Sequence, residues 1–393
     1  MYRNKPSAAL RASTAFRFVL IIGVANLFAD MTYEGARSVT GPFLGGLGAS
    51  AAVIGFTAGF GEFLGYALRS VSGVISDKTG KYWIVTIVGY CINLLAVPAL
   101  ALAGNWPLAA GLIIAERTGR AIRNPSTNAM LSFAGKHIGS GWVFGLNEAL
   151  DQTGATIGPL LIALVLFQRG NFRNGFALLL VPAILAIAIV IAARYFFPNP
   201  HDLEASPPIR TQKLPARYWM YMIASACIAA GFADFSLIAY HFQKTAAVTT
   251  DMIPIYYAVA MAMGALGALI FGKLLDVIGF SVVVATFFLS AFFAPLVFWG
   301  HTWTALVGMI LWGIGSGAQG SLLRSIVTEL IPSDKRSTAF GLFDTGFGIA
   351  WFAGSWLMGI LYGCSLTGLI IFSVVSQLLS LPIFIFAKQS GPK

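Results

Sequence analysis

The sequence predicts an all-α membrane protein in which twelve transmembrane helices form two pseudo-symmetric six-helix bundles. Three observations carry that prediction. Of the 393 residues, 57% are hydrophobic and 10% charged, with a mean hydropathy of +0.79, whereas a soluble globular chain holds about 25% charged residues. The apolar residues fall into twelve runs, each near the length of about 20 residues that a helix needs to cross the hydrocarbon of a bilayer. Three short phrases also recur in order on either side of a polar midpoint.

The runs lie at 16–42, 51–74, 82–103, 107–132, 141–166, 174–197, 217–242, 252–275, 281–300, 304–329, 337–362 and 366–387. The lead MYRNKPSAALRAS is polar and basic and opens directly into a run of full spanning length, without a short apolar core and small-residue cleavage site, so the first span is expected to stay in the mature chain. With the N-terminus inside, the inner segments hold fifteen lysines and arginines, and the outer loops hold Arg169, Arg173 and Lys244. The positive-inside rule then puts both termini in the cytoplasm, in a plasma (inner) membrane. The net charge of +10 is therefore a mark of membrane orientation, and a nucleic-acid partner is not expected. Cys91, Cys227 and Cys364 stand apart in apolar surroundings, which argues against a disulfide framework or a CxxC site.

The stretch FPNPHDLEASPPIRTQKLPAR (197–217) is rich in proline and charge and reads as a cytoplasmic linker. It divides the chain into an N-terminal bundle (1–197), a linker (198–216) and a C-terminal bundle (217–393). FAD at 28–30 returns at 232–234, GVISDKTG at 73–80 returns as GKLLDVIG at 272–279, and FGLNE at 144–148 returns as FGLFD at 340–344. Three landmarks in order at nearly constant offset indicate two homologous halves, and such halves with a binding site between them are the architecture of many secondary transporters. Spans 3, 6, 9 and 12 have no ionisable residue in their interiors. A charge at the bilayer centre costs about 2.5–3.5 kcal/mol on insertion scales, so the charged spans are expected to line an interior and the charge-free ones to face lipid.

The whole chain resembles the major facilitator superfamily. Gly73, Asp77, Gly80 and Lys81 match that family's G-x-x-x-D-x-x-G-[RK] motif between helices 2 and 3, and Gly272, Asp276 and Gly279 repeat it between helices 8 and 9, with Phe280 where a base is usual. The resemblance implies a contact that latches the cytoplasmic gate during alternating access; a simple loop cap at Asp77 is the alternative. On helix 5, Gly145, Gly154, Gly158 and Pro159 are similar to the family's antiporter motif, with Leu161 and Ile162 in place of the glycine pair that often follows. This implies export by antiport, although close helix packing would use the same glycines. The arginines of helix 4, in AERTGRAIRNP, resemble a family motif tied to proton coupling but miss its usual spacing, so Arg117, Arg120 and Arg123 all remain candidates.

Asp30, Glu34 and Arg37 lie at i, i+4 and i+7 and form one stripe on helix 1. The stripe is expected to face a central cavity, where burial and a neighbouring arginine pull a carboxyl in opposite directions and poise it to exchange a proton. With Glu62, Glu116, Arg117, Arg120, Arg123, Glu148 and Asp151 it makes a charge network for proton coupling, and static salt bridges are the alternative reading. The second half holds fewer charges, Asp234, Arg324, Glu329 and Asp344. A substrate cavity is expected among Tyr33, Asp234, Tyr240, Tyr256, Tyr257, Trp312, Arg324 and Asp344, with Phe343 and Trp351 nearby.

GSGAQG (315–320) has the nucleotide-binding glycine spacing but lies within helix 10 with no strand before it, so it reads as a packing run. No Walker loop is present, and the four histidines form no ligand cluster, His241 being a weak cavity candidate. The expected protein is a transporter and not an enzyme, with no cofactor or metal, functioning as a monomer in the lipid bilayer. Its expected action is exchange of protons for a small amphipathic organic solute moving outward; proton symport of an organic anion and lipid or lysolipid translocation are the alternatives.

Overall fold

The computed structural model describes residues 8–138, 140–198, 216–278, 281–330 and 336–389, and no strand occurs among the described residues. The first half contains α1 (Ala8–Gly46), α2 (Ala51–Thr79), α3 (Tyr82–Ala99), α4 (Trp106–Ile138), α5 (Ser140–Phe167), and a sixth span in two pieces, α6 (Phe172–Leu178) and α7 (Leu180–Phe196). The second half begins with a divided span, α8 (Ala216–Gly231) and α9 (Phe235–Thr245), and continues with α10 (Ile253–Ile278). Its ninth span is α11 (Ser281–Ala291) and α12 (Phe293–Phe298), and α13 (Thr302–Leu330), α14 (Arg336–Cys364) and α15 (Leu366–Gln389) complete it. Apart from its two ends, the linker 198–216 lies outside the described residues.

All twelve expected spans are helical. Among the described residues nine helical runs are long and apolar enough to cross a membrane, and Ile253–Ala268 is a shorter apolar one. α4 is long enough but carries Glu116, Arg117, Arg120 and Arg123, so its place in the bilayer depends on partners inside the bundle.

Three spans read as continuous from sequence are broken, and the causes are local. α6 ends at Leu178 and α11 at Ala291, each four residues before a proline, Pro182 or Pro295. A proline has no N–H to give to the carbonyl four residues back, and its ring crowds that turn. The break at 232–234 contains no proline and is held by side chains instead. Asp234 caps α9 by accepting from the Ser236 N–H at 2.9 Å. The carbonyls freed at the end of α8 are satisfied by Ser373 Oγ on Gly231 at 2.6 Å and by Trp312 Nε1 on Ala233 at 2.9 Å. Irregular backbone at membrane depth is tolerated where such partners exist.

The divide between the halves has the symmetry of the sequence repeat. α2 packs on α14, α10 packs on α5, and α1 packs on α9. Exchanging the halves turns the contact of spans 2 and 11 into that of spans 8 and 5, and the contact of spans 1 and 7 into itself. Spans 3, 6, 9 and 12 stay on the outside, as their lack of charge predicts. On α3 the exposed Ile84, Val88, Ile92 and Leu95, and on α15 the exposed Ile371, Val375 and Leu379, recur at helical spacing and give each helix an apolar outer stripe.

The halves close tightly at the end of the bundle where α1 finishes. A Cβ at Gly41 would lie 1.8 Å from the Ser236 carbonyl oxygen, and one at Gly55 would lie 2.4 Å from that of Ser355. Within the first half, α5 is clamped onto α1 in the same way, because a Cβ at Gly154 or Gly158 would come within 2.2 Å of the Leu27 or Met31 carbonyl oxygen. Gly158→Ala is therefore expected to force α1 and α5 apart at a cost of about 1–3 kcal/mol, lowering the unfolding temperature of the detergent-purified protein. Gly111→Ala, which meets nothing within 4 Å, is expected to show no such loss.

Candidate functional site

The charged stripe of α1 lies against an antiparallel charged stripe of α4. Asp30, Glu34 and Arg37 rise along α1 while Arg123, Arg120 and Arg117 occupy successive turns of α4, so the residues meet in ladder order. Arg123 reaches Asp30 at 3.8 Å and Arg120 reaches Glu34 at 3.9 Å. At the third level α2 inserts Glu62, which takes Arg117, Arg37 at 3.4 Å and Arg120 at 3.6 Å. Tyr33 fills the space between rungs, its ring 4.7 Å from the Arg120 guanidinium and 6.0 Å from that of Arg123. Arginine suits these positions because it stays charged and its planar fork serves several acceptors at once. Glu116 lies beside Arg117 at 3.1 Å and accepts from Asn93 at 2.9 Å.

Two polar contacts carry this network across the divide. Arg37 pairs with Asp234 at 2.9 Å, and the Tyr257 hydroxyl donates to Glu34. Asp234 thus uses one oxygen to cap α9 and the other to hold Arg37, which ties the broken seventh span to α1. The FAD repeat is therefore not repeated in geometry. Asp30 sits in an unbroken helix and pairs within its own half, whereas Asp234 sits at a break and pairs with the other half.

Asp30 does not face the central cavity, contrary to the expectation from the stripe. Its partner Arg123 holds it in a separate polar pocket inside the first half. There Asn26 receives from Tyr90 and from Arg123 at 3.0 Å and donates to Asn147 at 2.8 Å, and Asn147 donates to Asp151 at 2.8 Å. The Arg123 guanidinium also lies 4.4 Å from the Tyr90 ring centre. Asn26 and Asn147 stand one turn before Asp30 and Asp151, so extending each acidic stripe by four residues would have found them. Tyr90 lies in a charge-free span and gave no comparable signal.

The central cavity has a volume of about 260 Å³ and lies between the halves. Its first wall is charged and comes from the N-terminal half, with Glu34, Arg37, Glu62, Arg69, Arg120 and Gln152. Its second wall is aromatic and comes from the C-terminal half, with Tyr257, Trp312, Phe343, Phe347 and Trp351, and with Gln319 and Asp344 among them. Tyr66, Arg69, Gln152, Gln319 and Phe347 are lining residues not selected as site residues from the sequence. From the Arg37–Asp234 contact the cavity runs away from the closed end, toward the end of the bundle where α1 begins. A smaller void of about 20 Å³ sits on the other side of Arg37, against Tyr33, Thr40, Glu116 and Arg117.

Several expected residues lie elsewhere. Tyr240 stands at the closed end, against Gly45 and 5.6 Å from the Tyr362 ring. Tyr256 is buried and donates to the Thr302 carbonyl at 2.9 Å. His241 is buried beside Tyr362, 3.0 Å from its hydroxyl, and not on the cavity wall. Glu148 is exposed and accepts from Gln152 at 2.9 Å, outside the arginine ladder. Of the gating motif, Gly73 faces Pro125 of α4, Gly80 ends α2 in the left-handed conformation (φ 65°) that glycine adopts without strain, and Lys81 is exposed. Pro159 lies inside α5, which continues through it. Gly279 and the side-chain positions of Asp77, Gly145, Gly272, Asp276, Arg324 and Glu329 lie outside the described residues. Among the described residues no group of three or more His, Cys, Asp or Glu is placed to hold a metal ion.

Comparison with known proteins agrees with this architecture. A protein of Mycobacterium tuberculosis strain H37Rv, named Uncharacterized protein Rv2265, is 37% identical over 386 residues, covering 96% of this chain and 94% of its own. The Uncharacterized MFS-type transporter MJ1317 of Methanocaldococcus jannaschii is 24% identical over 359 residues, covering 88% and 89%. Among solved structures, the nucleoside transporter NupG superposes with a TM-score of 0.71 at 12% identity, covering 95% of this chain and 98% of that one. A POT family transporter in complex with 5-aminolevulinic acid gives 0.76 at 11% identity, with 94% and 95% covered. A bacterial homologue of the human lysosomal transporter Spinster, inward-facing and unoccupied, gives 0.68 at 13%, with 95% of each chain covered. These likenesses show a shared fold. The family model of the Major Facilitator Superfamily matches residues 19–355, and with its helical spans in two halves around a charged central cavity, this chain belongs to that superfamily and is an integral membrane transporter, not an enzyme.

Proposed function

We propose that the protein is a proton-coupled exporter that moves a small amphipathic organic solute outward in exchange for protons, as a monomer in the inner membrane with both termini in the cytoplasm. The observation that carries this reading is the pair of contacts at the head of the cavity, Arg37 with Asp234 and Tyr257 with Glu34. Both cross the divide, and both depend on a carboxylate. A proton on Glu34 removes its charge, weakens its hold on Arg37 and Arg120, and leaves Arg37 to redistribute between Glu62 and Asp234. The closed end is then held mainly by helix packing and can open. A solute in the cavity competes for the same arginines and carboxylates, which couples its passage to the proton.

The pocket inside the first half supports a second proton position. Asp30 and Asp151 lie at opposite ends of the chain of contacts through Asn26 and Asn147, with Arg123 as the guanidinium beside them. A buried and a half-buried carboxyl against one arginine leave an uncompensated charge that a proton would remove. By the positive-inside count the cavity opens to the cytoplasm, where an exporter collects its cargo. The glycines Gly154 and Gly158 and Pro159 of α5 agree with the antiporter pattern. Three cavity arginines also suit an organic anion carried inward by symport, and the direction of proton movement separates the two.

In proteoliposomes with a pH-sensitive dye inside, a solute gradient is expected to drive protons the opposite way. Glu34→Gln is expected to reduce that proton movement by on the order of 100-fold, because the variant cannot carry the proton, while solute counterflow at equal pH persists. Proton movement in the same direction as the solute would establish symport, and full coupling in Glu34→Gln would make the ladder a structural ion-pair network. Asp234→Asn removes one contact across the divide. In a background with Cys91, Cys227 and Cys364 replaced, Tyr240→Cys is then expected to react faster with an impermeant maleimide added outside; an unchanged rate would mean that Arg37–Asp234 does not hold the closed end.

A further inference from the structure

The C-terminal wall of the cavity is built from two helical stripes that run in opposite directions. Trp312, Ser316 and Gln319 on α13, and Asp344, Phe347 and Trp351 on α14, each recur within two helical turns and line the cavity. Trp312 and Trp351 lie at one level, because the Phe232 ring is 5.4 Å from the first and 5.7 Å from the second. Seven residues of helix carry each stripe about 10 Å further toward the opposite end, to Gln319 and Asp344. The wall is therefore aromatic at its deep level and polar at its shallow level.

Two hydrogen-bond donors in this wall have no acceptor among the described residues. Trp351 is 8% exposed and Gln319 9% exposed, and neither Trp351 Nε1 nor Gln319 Nε2 has a hydrogen-bond partner there. Trp312, in the same wall, gives its N–H to the Ala233 carbonyl, so the lack is not a general property of the wall. Buried polar groups are nearly always paired, and an unpaired one in a native structure needs an explanation. Around Trp351 the ring neighbours are Phe232 and Phe347, which offer no acceptor, and the Trp351 side chain is part of the cavity lining.

We propose that these two donors form a specificity subsite for an elongated aromatic substrate that carries a hydrogen-bond acceptor, a carbonyl or carboxylate oxygen or a ring nitrogen. Its ring system lies against Trp312, Phe347 and Trp351, and its acceptors receive from Trp351 Nε1 at depth and Gln319 Nε2 nearer the mouth. On the charged wall opposite, Glu34 and Glu62 each hold arginines and serve coupling, and the C-terminal side adds discrimination among solutes. This inference rests on the transport reading above and assigns it a substrate class.

The test is equilibrium binding to the full chain in lipid nanodiscs. Flavone, an elongated aromatic ketone, is compared with 2-phenylnaphthalene, which offers rings of similar outline but no acceptor. Saturable flavone binding is expected, weakened about 10-fold by Trp351→Phe and about 10-fold by Gln319→Leu, and unchanged by Tyr256→Phe, which lies off the cavity. In the empty protein, Trp351→Phe and Gln319→Leu are expected to leave the unfolding temperature unchanged or raise it, because no hydrogen bond is lost. The subsite is overturned if flavone shows no saturable binding, if both variants bind it like the parent, or if 2-phenylnaphthalene binds as tightly. Proton-coupled movement of any solute by the parent protein, measured in proteoliposomes, keeps the transport reading standing in that case; donor-dependent flavone binding without proton-coupled movement of any solute would remove the coupling while keeping the subsite.

Discussion

The structure depends on one constraint, that arginines and carboxylates placed in a membrane interior must find each other. Each charge left alone at the bilayer centre costs about 2.5–3.5 kcal/mol even on the lenient insertion scales. α4 could not be held in the bilayer by its own hydropathy. The ladder of Arg117, Arg120 and Arg123 on Glu62, Glu34 and Asp30 offsets that cost, and in doing so sets the register of α1, α2 and α4. The remaining polar groups of the first half then arrange around this ladder, with Asn26, Tyr90, Asn93 and Asn147 using hydrogen bonds that the ion pairs leave open. Such a network is costly to break at one member and easy to redistribute among several, because Arg37 and Arg120 each touch more than one acid.

The two halves share a sequence pattern but do different work. The first is rich in charge and keeps its first span unbroken. The second concentrates aromatic rings, and its corresponding span is interrupted at Phe232–Asp234. The interruption has a structural consequence, because it frees Asp234 to act at once as a helix cap and as the acceptor for Arg37. A continuous helix would need no cap there. Pseudo-symmetry therefore supplies the frame, the paired contacts of spans 2 with 11 and 5 with 8, while departure from symmetry at the first and seventh spans builds the junction at the head of the cavity.

Much of this was legible in the chain before any coordinates. Span number, the outward position of the charge-free spans and the identity of the ladder residues follow from hydropathy, charge and short-range spacing, which are properties of single helices. The errors came where a second helix decides. Asp30 and Glu34 share a stripe, yet Arg123 draws one into the first half and Tyr257 draws the other toward the cavity. Tyr240 and Tyr256 sit on inner spans but pack at the closed end and against the Thr302 carbonyl. Prolines four residues past a helix end broke the sixth and ninth spans, a signal present in the sequence, whereas the break before Asp234 needed Ser373 and Trp312 from distant helices to satisfy the freed carbonyls.

The sequence by itself determined that this is a membrane protein of twelve helices in two related halves, with arginines and acids confined to the inner spans, because those features depend on composition and on the 3.6-residue period of one helix. Tertiary structure alone decided which acid meets which arginine, which rings face the cavity and which donors remain without acceptors. Those outcomes depend on how neighbouring helices are turned and how far they slide past one another, and no period within a single helix encodes either.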